Sequence, residues 1–261
     1  GRTWHAVSCA FALTMGLTGL ICFAVYLHHP DKPLLAFIAI KFGSFGLLLP
    51  MFFTVCHRMI PFFAGSVVPG YRAWKPMWVL GAFWALVLAH LGMELVHGYA
   101  WLWVADLPMA ALTGFVLWKW WPHSSAYPAL LRVLFIGFTW LPIAMLMYSA
   151  QSIWFAATDD FALGRAPAHA LFIGFFGSLL VAMVTRVTTG HSGNPLRLGR
   201  IAGCTFALLQ LVAIVRVIGE LVPDAMAWDA IAGLGWLIAF MPWVLRSIRI
   251  YFIPRSDGKP G

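Results

Sequence analysis

Charge is what this 261-residue chain has least of: 10% of its residues are charged, nine are acidic, and 62% are hydrophobic. A soluble domain typically carries about 25% charged residues, so water is excluded as the solvent for most of the surface and lipid is left. The roughly ten-residue alternating segments of a transmembrane barrel are missing, and internal repeats, low-complexity tracts and linkers are not evident. Cysteine is scarce, with Cys9, Cys22, Cys56 and Cys204 scattered and no C-x-x-C pair, so each reads as a small packing residue. There is no H-E-x-x-H, no G-x-S-x-G elbow and no phosphate-binding or dinucleotide glycine loop. Zinc proteolysis, serine hydrolysis and nucleotide chemistry of those types are thereby set aside. No signal peptide precedes the first apolar run, and the chain starts at Gly1, so an N-terminal part is expected to lie outside this sequence.

What is present is apolar length. Eight runs approach or exceed the roughly 20 residues that cross a bilayer: 4–27, 34–57, 76–98, 101–121, 131–155, 167–189, 200–222 and 228–249. Lipid offers no partner to an open backbone group, so each run is predicted to be a helix. The fold class that follows is all-α, a polytopic membrane helix bundle forming one transmembrane domain over residues 1–261. Place the start of the first helix on one side of the membrane. Every basic residue except Lys32, Lys41, Arg165 and Arg216 then falls on that side, and every acid except Asp257 falls opposite. The positive-inside rule makes the basic side cytoplasmic and puts both termini there. An odd number of crossings would scramble this division. The net charge of +8 then belongs against anionic headgroups and calls for no nucleic acid. Trp101, Trp103, Trp118, Trp120, Trp121 and Trp228 sit near run ends as interface anchors.

The same topology sorts the nine histidines into two layers. His28, His29, His90, His97 and His169 lie near the outer face; His5, His57, His123 and His191 lie near the cytoplasmic face. Residues in different layers cannot share a metal: His169 and His191, roughly 22 residues apart, are separated by about 33 Å along a helix. The third run carries His90, Glu94 and His97 at i, i+4 and i+7, one face of the predicted helix. An imidazole and a carboxylate one turn apart form a metal-ligand pair, so His90, Glu94, His97 and His169 are candidate metal ligands. A haem iron takes axial ligands from opposite faces of its ring, so either His90 or His97 would pair with His169. The alternative is an interhelical hydrogen-bond cluster, with Lys41 or Arg216 answering Glu94 inside the bilayer.

Lys41, Arg216 and Asp106 read as structural pairs or snorkelling chains ahead of proton-relay members. Pro50, Pro108, Pro142 and Pro242 predict kinks. Ala166, Ala170, Gly174, Ser178 and Ala182 recur every fourth position along the sixth run, a surface on which a second backbone packs closely. No carboxylate pair has cytoplasmic access for phosphoryl or glycosyl transfer.

The segment from His169 to Leu196 contains His169-Ala-Leu-Phe-Ile-Gly-Phe-Phe-Gly177, Ala182-Met-Val-Thr-Arg186 and Gly190-His-Ser-Gly-Asn-Pro-Leu196. It resembles the long signature of the NnrS family. Arg58-Met-Ile-Pro-Phe-Phe63 is similar to that family's R-x-I-P-F-F stretch and stands in the expected order. The resemblance covers the C-terminal two-thirds of the chain. It implies a multi-pass protein of the bacterial inner membrane that contains b-type haem and copper and is linked to nitric oxide metabolism and denitrification. His169, Thr185, Arg186, Gly190, His191, Gly193 and Pro195 match the long motif, and Arg58, Pro61, Phe62 and Phe63 match the short one. Members of the family usually have further helices and an H-x-x-E-M-L-F-G-type stretch that this sequence lacks. They more often show Arg or Lys where this chain has His57.

The expectation is therefore a haem- and copper-binding membrane protein of nitric oxide response or denitrification, with a redox or metal-handling role and, if an enzyme, oxidoreductase activity. Its cofactor-binding candidates are His169, His97, His90, His191, Arg186 and Arg58, with the two arginines either holding haem propionates or anchoring in headgroups. Its expected partners are membrane lipid and either other membrane subunits or a redox protein. The competing readings are a subunit or assembly factor without its own cofactor, and a transporter using Glu94, Asp106 and Arg216. A transporter would show inverted repeats and broken helices in paired positions, and the sequence displays no such pairing.

Overall fold

A computed structural model describes residues 3–123, 127–222, 224–255 and 258. Arg2, Asp257 and Lys259, which entered the charge division, lie outside the described residues. Eight helices are long and apolar enough to cross a membrane. They are α1 (Trp4–His28), α2 (Pro33–Val67), α3 (Met77–Leu95), α4 (Tyr99–Trp120), α5 (Ala129–Thr158), α6 (Ala166–His191), α7 (Arg200–Gly219) and α8 (Ala225–Tyr251). No strand occurs among the described residues. Each helix answers to one apolar run, and the all-helical membrane fold stands as expected.

The differences lie at helix ends. α2 continues to Val67 instead of stopping near 57, so Arg58-Met-Ile-Pro-Phe-Phe63 is helical and Pro61 is inside it. Ile60, Pro61, Phe63 and Ala64 are buried there, and that packing outweighs the local break signalled by Arg58 and Pro61. α3 stops at Leu95. His97 takes a φ of 55°, its N–H goes to Glu94 O at 3.0 Å, and Gly98 N–H reaches Met93 O at 2.8 Å. These are the paired bonds of a left-handed helix stop. His97 has therefore left the helix face that it was expected to share with His90 and Glu94.

α4, α5 and α8 run through Pro108, Pro142 and Pro242 as single helices. The π turns fall in two other helices. α2 winds as a π-helix over Phe42–Leu48, and α6 does so over Ala170–Gly177. Single π turns inside α-helices cluster at functional positions. Pro50 accounts for part of the first: it has no N–H for the carbonyl one turn back, and Leu49 N–H instead reaches Ser44 O. Both helices remain continuous through their π turns.

The chain divides into two compact units, Gly1–Trp120 with Tyr148–Phe161, and Trp121–Met147 with Ala162–Gly261. In the first, Gly16 and Gly19 of α1 leave room for Leu47 and Phe42 of α2. The Phe53 and Phe83 rings stack at 3.7 Å. α1 buries only Ser8, Ala12 and Gly19 of its length, which leaves the rest of its apolar surface for lipid. In the second unit, Gly174 lies under the indole of Trp140, and Gly137 lies against Ser178 and Leu179. The small-residue stripe of α6 is therefore a packing surface for α5. Side-chain hydrogen bonds join helices within each unit: Trp84 Nε1 donates to Ser8 Oγ at 2.7 Å in the first, and Trp140 Nε1 donates to Gln210 Oε1 at 2.7 Å in the second.

Candidate functional site

The first unit gathers its intramembrane charges at one point. Lys41 ends the α-helical start of α2, just before the π turn, and its Nζ lies 2.9 Å from Glu94 Oε1 on α3. His90 precedes Glu94 by one helical turn, and its Nε2 is 3.7 Å from the same carboxylate oxygen. Its Nδ1 is 2.6 Å from Asp106 Oδ1 at the start of α4. With Asp106 ionised the carboxylate only accepts, so Nδ1 donates to it, and Nε2 makes no hydrogen bond. His90 and Asp106 are fully buried and Glu94 is 3% exposed. Phe45 lies 4.0 Å from the imidazole centroid, and Tyr148 of α5 meets it edge-on at 5.8 Å. Three buried atoms of this cluster have no hydrogen-bond partner: His90 Nε2, Glu94 Oε2 and Asp106 Oδ2. Orphaned polar atoms this deep are costly and call for an account.

Of the expected ligand trio, His90 and Glu94 meet, whereas His97 is exposed and pairs with Tyr99 Oη at 2.8 Å. Lys41 is the partner of Glu94, the interhelical alternative raised from sequence, and Arg216 is not. Asp106 and Tyr148 as neighbours of His90 were not anticipated, since no spacing rule links residues on successive helices.

In the second unit, His169 Nε2 lies 3.1 Å from Glu220 Oε1 just past the end of α7. The Arg165 N–H donates to Glu220 Oε2 at 3.0 Å, and its guanidinium is 3.2 Å from Oε1. Arg216 pairs with Asp229 of α8. Burial acts to raise the Glu220 carboxyl, but the Arg165 N–H, His169 and the Arg165 guanidinium outweigh it and hold the group below the usual carboxylate range. A carboxyl depressed in the folded state contributes stability that is complete above its unfolded value, about 4.3, and that is lost as pH falls through the folded value. The melting-temperature gap between wild type and Glu220→Gln is therefore expected to be full at neutral pH and to close below about pH 4. Thermal scans in detergent check this, and a gap that ignores pH would remove Glu220 as the group responsible.

At the other helix ends, His5 Nε2 meets His57 Nδ1 at 2.9 Å, so His57 has a structural partner in α1. Arg58 is exposed on α2, Arg186 is buried to 8% exposure on α6, and His191 is exposed as the last residue of α6. His169 and His191 thus stand at opposite ends of one helix, as the layering required.

Among the described residues, no group of three or more His, Cys, Asp and Glu side chains converges as a metal cage. The donor set of the first unit offers instead one bare imidazole nitrogen, backed by a carboxylate that fixes its tautomer and orientation.

No curated protein and no solved structure matches this chain. A family model described as NnrS protein matches residues 1–255, well beyond the C-terminal two-thirds that carry the signature residues. With eight membrane-crossing helices and a match over nearly its whole length, the chain belongs to the NnrS family, a family of membrane proteins related to nitric oxide.

Proposed function

We propose that this protein is a haem-binding redox protein of nitric oxide response, in which His90 would hold the iron. The observation that carries the reading is the buried, partnerless Nε2 of His90 with Asp106 behind Nδ1. A haem iron needs one or two such donors, and an imidazole held by a carboxylate is the more basic, better-oriented one. Lys41 on Glu94 and the imidazole on Asp106 keep both carboxylates in place at the same depth. Phe45 and Tyr148 wall the ring, so entry of a macrocycle requires these two side chains to move. No group of three His, Cys, Asp or Glu side chains converges for copper among the described residues.

Bound haem would supply a one-electron centre that binds a diatomic ligand. The chain's own part is to hold the iron through His90, to fix the imidazole through Asp106, and to exclude water with buried aromatic side chains. His169 is a second candidate ligand whose Nε2 is engaged by Glu220. Arg58, Arg186 and His191 are candidates for propionate contacts near the basic loops, and His97 ranks last because it is exposed beside Tyr99.

The test is an optical spectrum of the purified protein with iron analysis. A Soret band is expected in the wild type, with at least one haem signal lost in His90→Ala. A wild type without a Soret band sinks the reading, and an unchanged His90→Ala spectrum removes His90 from it.

A further inference from the structure

We infer that the chain is a tandem duplication of one four-helix unit, α1–α4 and α5–α8, and that its two copies carry one polar site in two versions. The first copy keeps an imidazole on its third helix as a cofactor ligand. The second fills the same position with a guanidinium and takes no ligand there. The duplication stands on geometry alone, whereas the division of labour rests on the haem reading above.

The correspondence is positional. At one constant offset, Lys41, Gly46 and Arg58 of α2 recur as His169, Gly174 and Arg186 of α6, and the two π turns begin at equivalent residues, Phe42 and Ala170. At a second offset, Trp84, His90 and Glu94-Leu95-Val96 recur as Gln210, Arg216 and Glu220-Leu221-Val222. At a third, Asp106 and Trp120 of α4 recur as Asp229 and Trp243 of α8. The offsets change between helices, where loops absorb length, and hold within them.

The contacts among the second, third and fourth helices recur with the positions, whereas in the first helix Trp140 takes the place of Ser8 against the third helix and of Met15 against the second. The second helix meets the third through Lys41–Glu94 in one copy and His169–Glu220 in the other. The third meets the fourth through His90–Asp106 and Arg216–Asp229. The first meets the third through Ser8–Trp84 and Trp140–Gln210. Gly46 lies under Met15 of α1, and Gly174 lies under Trp140 of α5. The fourth meets the second where Trp120 lies 6.0 Å from the His57 ring, and where Trp243 Nε1 donates to Thr185, the residue equivalent to His57. Each of these pairs is formed inside its own unit.

The charges then set the two versions apart. In the first copy, Lys41 and the His90 imidazole answer Glu94 and Asp106, and His90 Nε2 makes no hydrogen bond. In the second copy, Arg216 and Arg165 answer Glu220 and Asp229. A guanidinium is always protonated, has no lone pair to give a metal, and stands where the imidazole stands in the first copy. A nitrogen able to ligate stands on the third helix only in the first.

His90→Arg writes the second copy's residue into the first. In the full chain purified in detergent, it is expected to recover at least half of the melting-temperature loss seen in His90→Ala, while carrying no haem bound through this position. Lys41→His is expected to melt well above Lys41→Met. Arg216→Ala is expected to lower the melting temperature and leave haem per chain unchanged. If His90→Arg is as unstable as His90→Ala, and Lys41→His as unstable as Lys41→Met, the duplication is overturned. Haem lost from folded Arg216→Ala overturns the division of labour. A wild type without haem, combined with rescue by His90→Arg, leaves the duplication standing and removes the haem reading and the division built on it.

Discussion

Lys41→Met is expected to destabilise the protein by about 3–5 kcal/mol, the range for removing one partner of a buried ion pair. The size follows from an asymmetry in burial. The Lys41 side chain keeps 21% of its surface, whereas that of Glu94 keeps 4%. Without the ammonium, Glu94 faces Asp106 and the His90 ring at a depth where water does not reach it. Glu94→Gln is expected to cost less, because a lysine with four methylenes swings its ammonium toward the interface when its partner is gone. Lys41→Met combined with Glu94→Leu is expected to recover most of the loss, since two apolar residues need no compensation. Thermal melts of the three variants check the order. A Lys41→Met protein as stable as the wild type would show that the pair holds nothing.

Gly174→Ala is expected to cost about 1–3 kcal/mol, the usual range for overpacking a filled core. A Cβ at this position would come within 2.5–2.7 Å of the Trp140 ring. An indole cannot yield as a flexible chain end does, and any shift of Trp140 also strains its hydrogen bond to Gln210. Gly43→Ala is the control, since a Cβ there meets nothing within 4 Å. Gly43 lies in the other π turn, so a large loss in both variants would assign the effect to π geometry instead of to the contact with Trp140.

The family and the count of helices were legible before any coordinates because both are written along the chain. Whether a segment enters lipid depends on the summed transfer free energy of about twenty consecutive residues, and a signature motif is likewise contiguous. The His90–Glu94 neighbourhood was legible for the same reason, one helical turn being a local rule. His97 shows where such a rule ends. Counting by 3.6 residues kept it on the helix face, but the helix stops at Leu95 and a left-handed residue redirects the chain. The stop is made by backbone bonds from His97 and Gly98, with no glycine at the turning position to announce it.

The duplication was overlooked for a related reason. Its two copies share few identities, among them Gly46 with Gly174, Arg58 with Arg186, Asp106 with Asp229, Trp120 with Trp243 and a short Glu-Leu-Val. What recurs is a set of partnerships, and a partnership can exchange its members while keeping its place, as Lys41–Glu94 and His169–Glu220 do. By itself, the sequence determined eight crossings, which loops are basic, and which histidines share a layer, all of them sums over contiguous residues. The tertiary structure decided that Asp106 backs His90, that Lys41 answers Glu94, and that α2 runs on past Arg58. Those outcomes depend on how each helix is rotated about its axis against its neighbours, and no window of consecutive residues carries that angle.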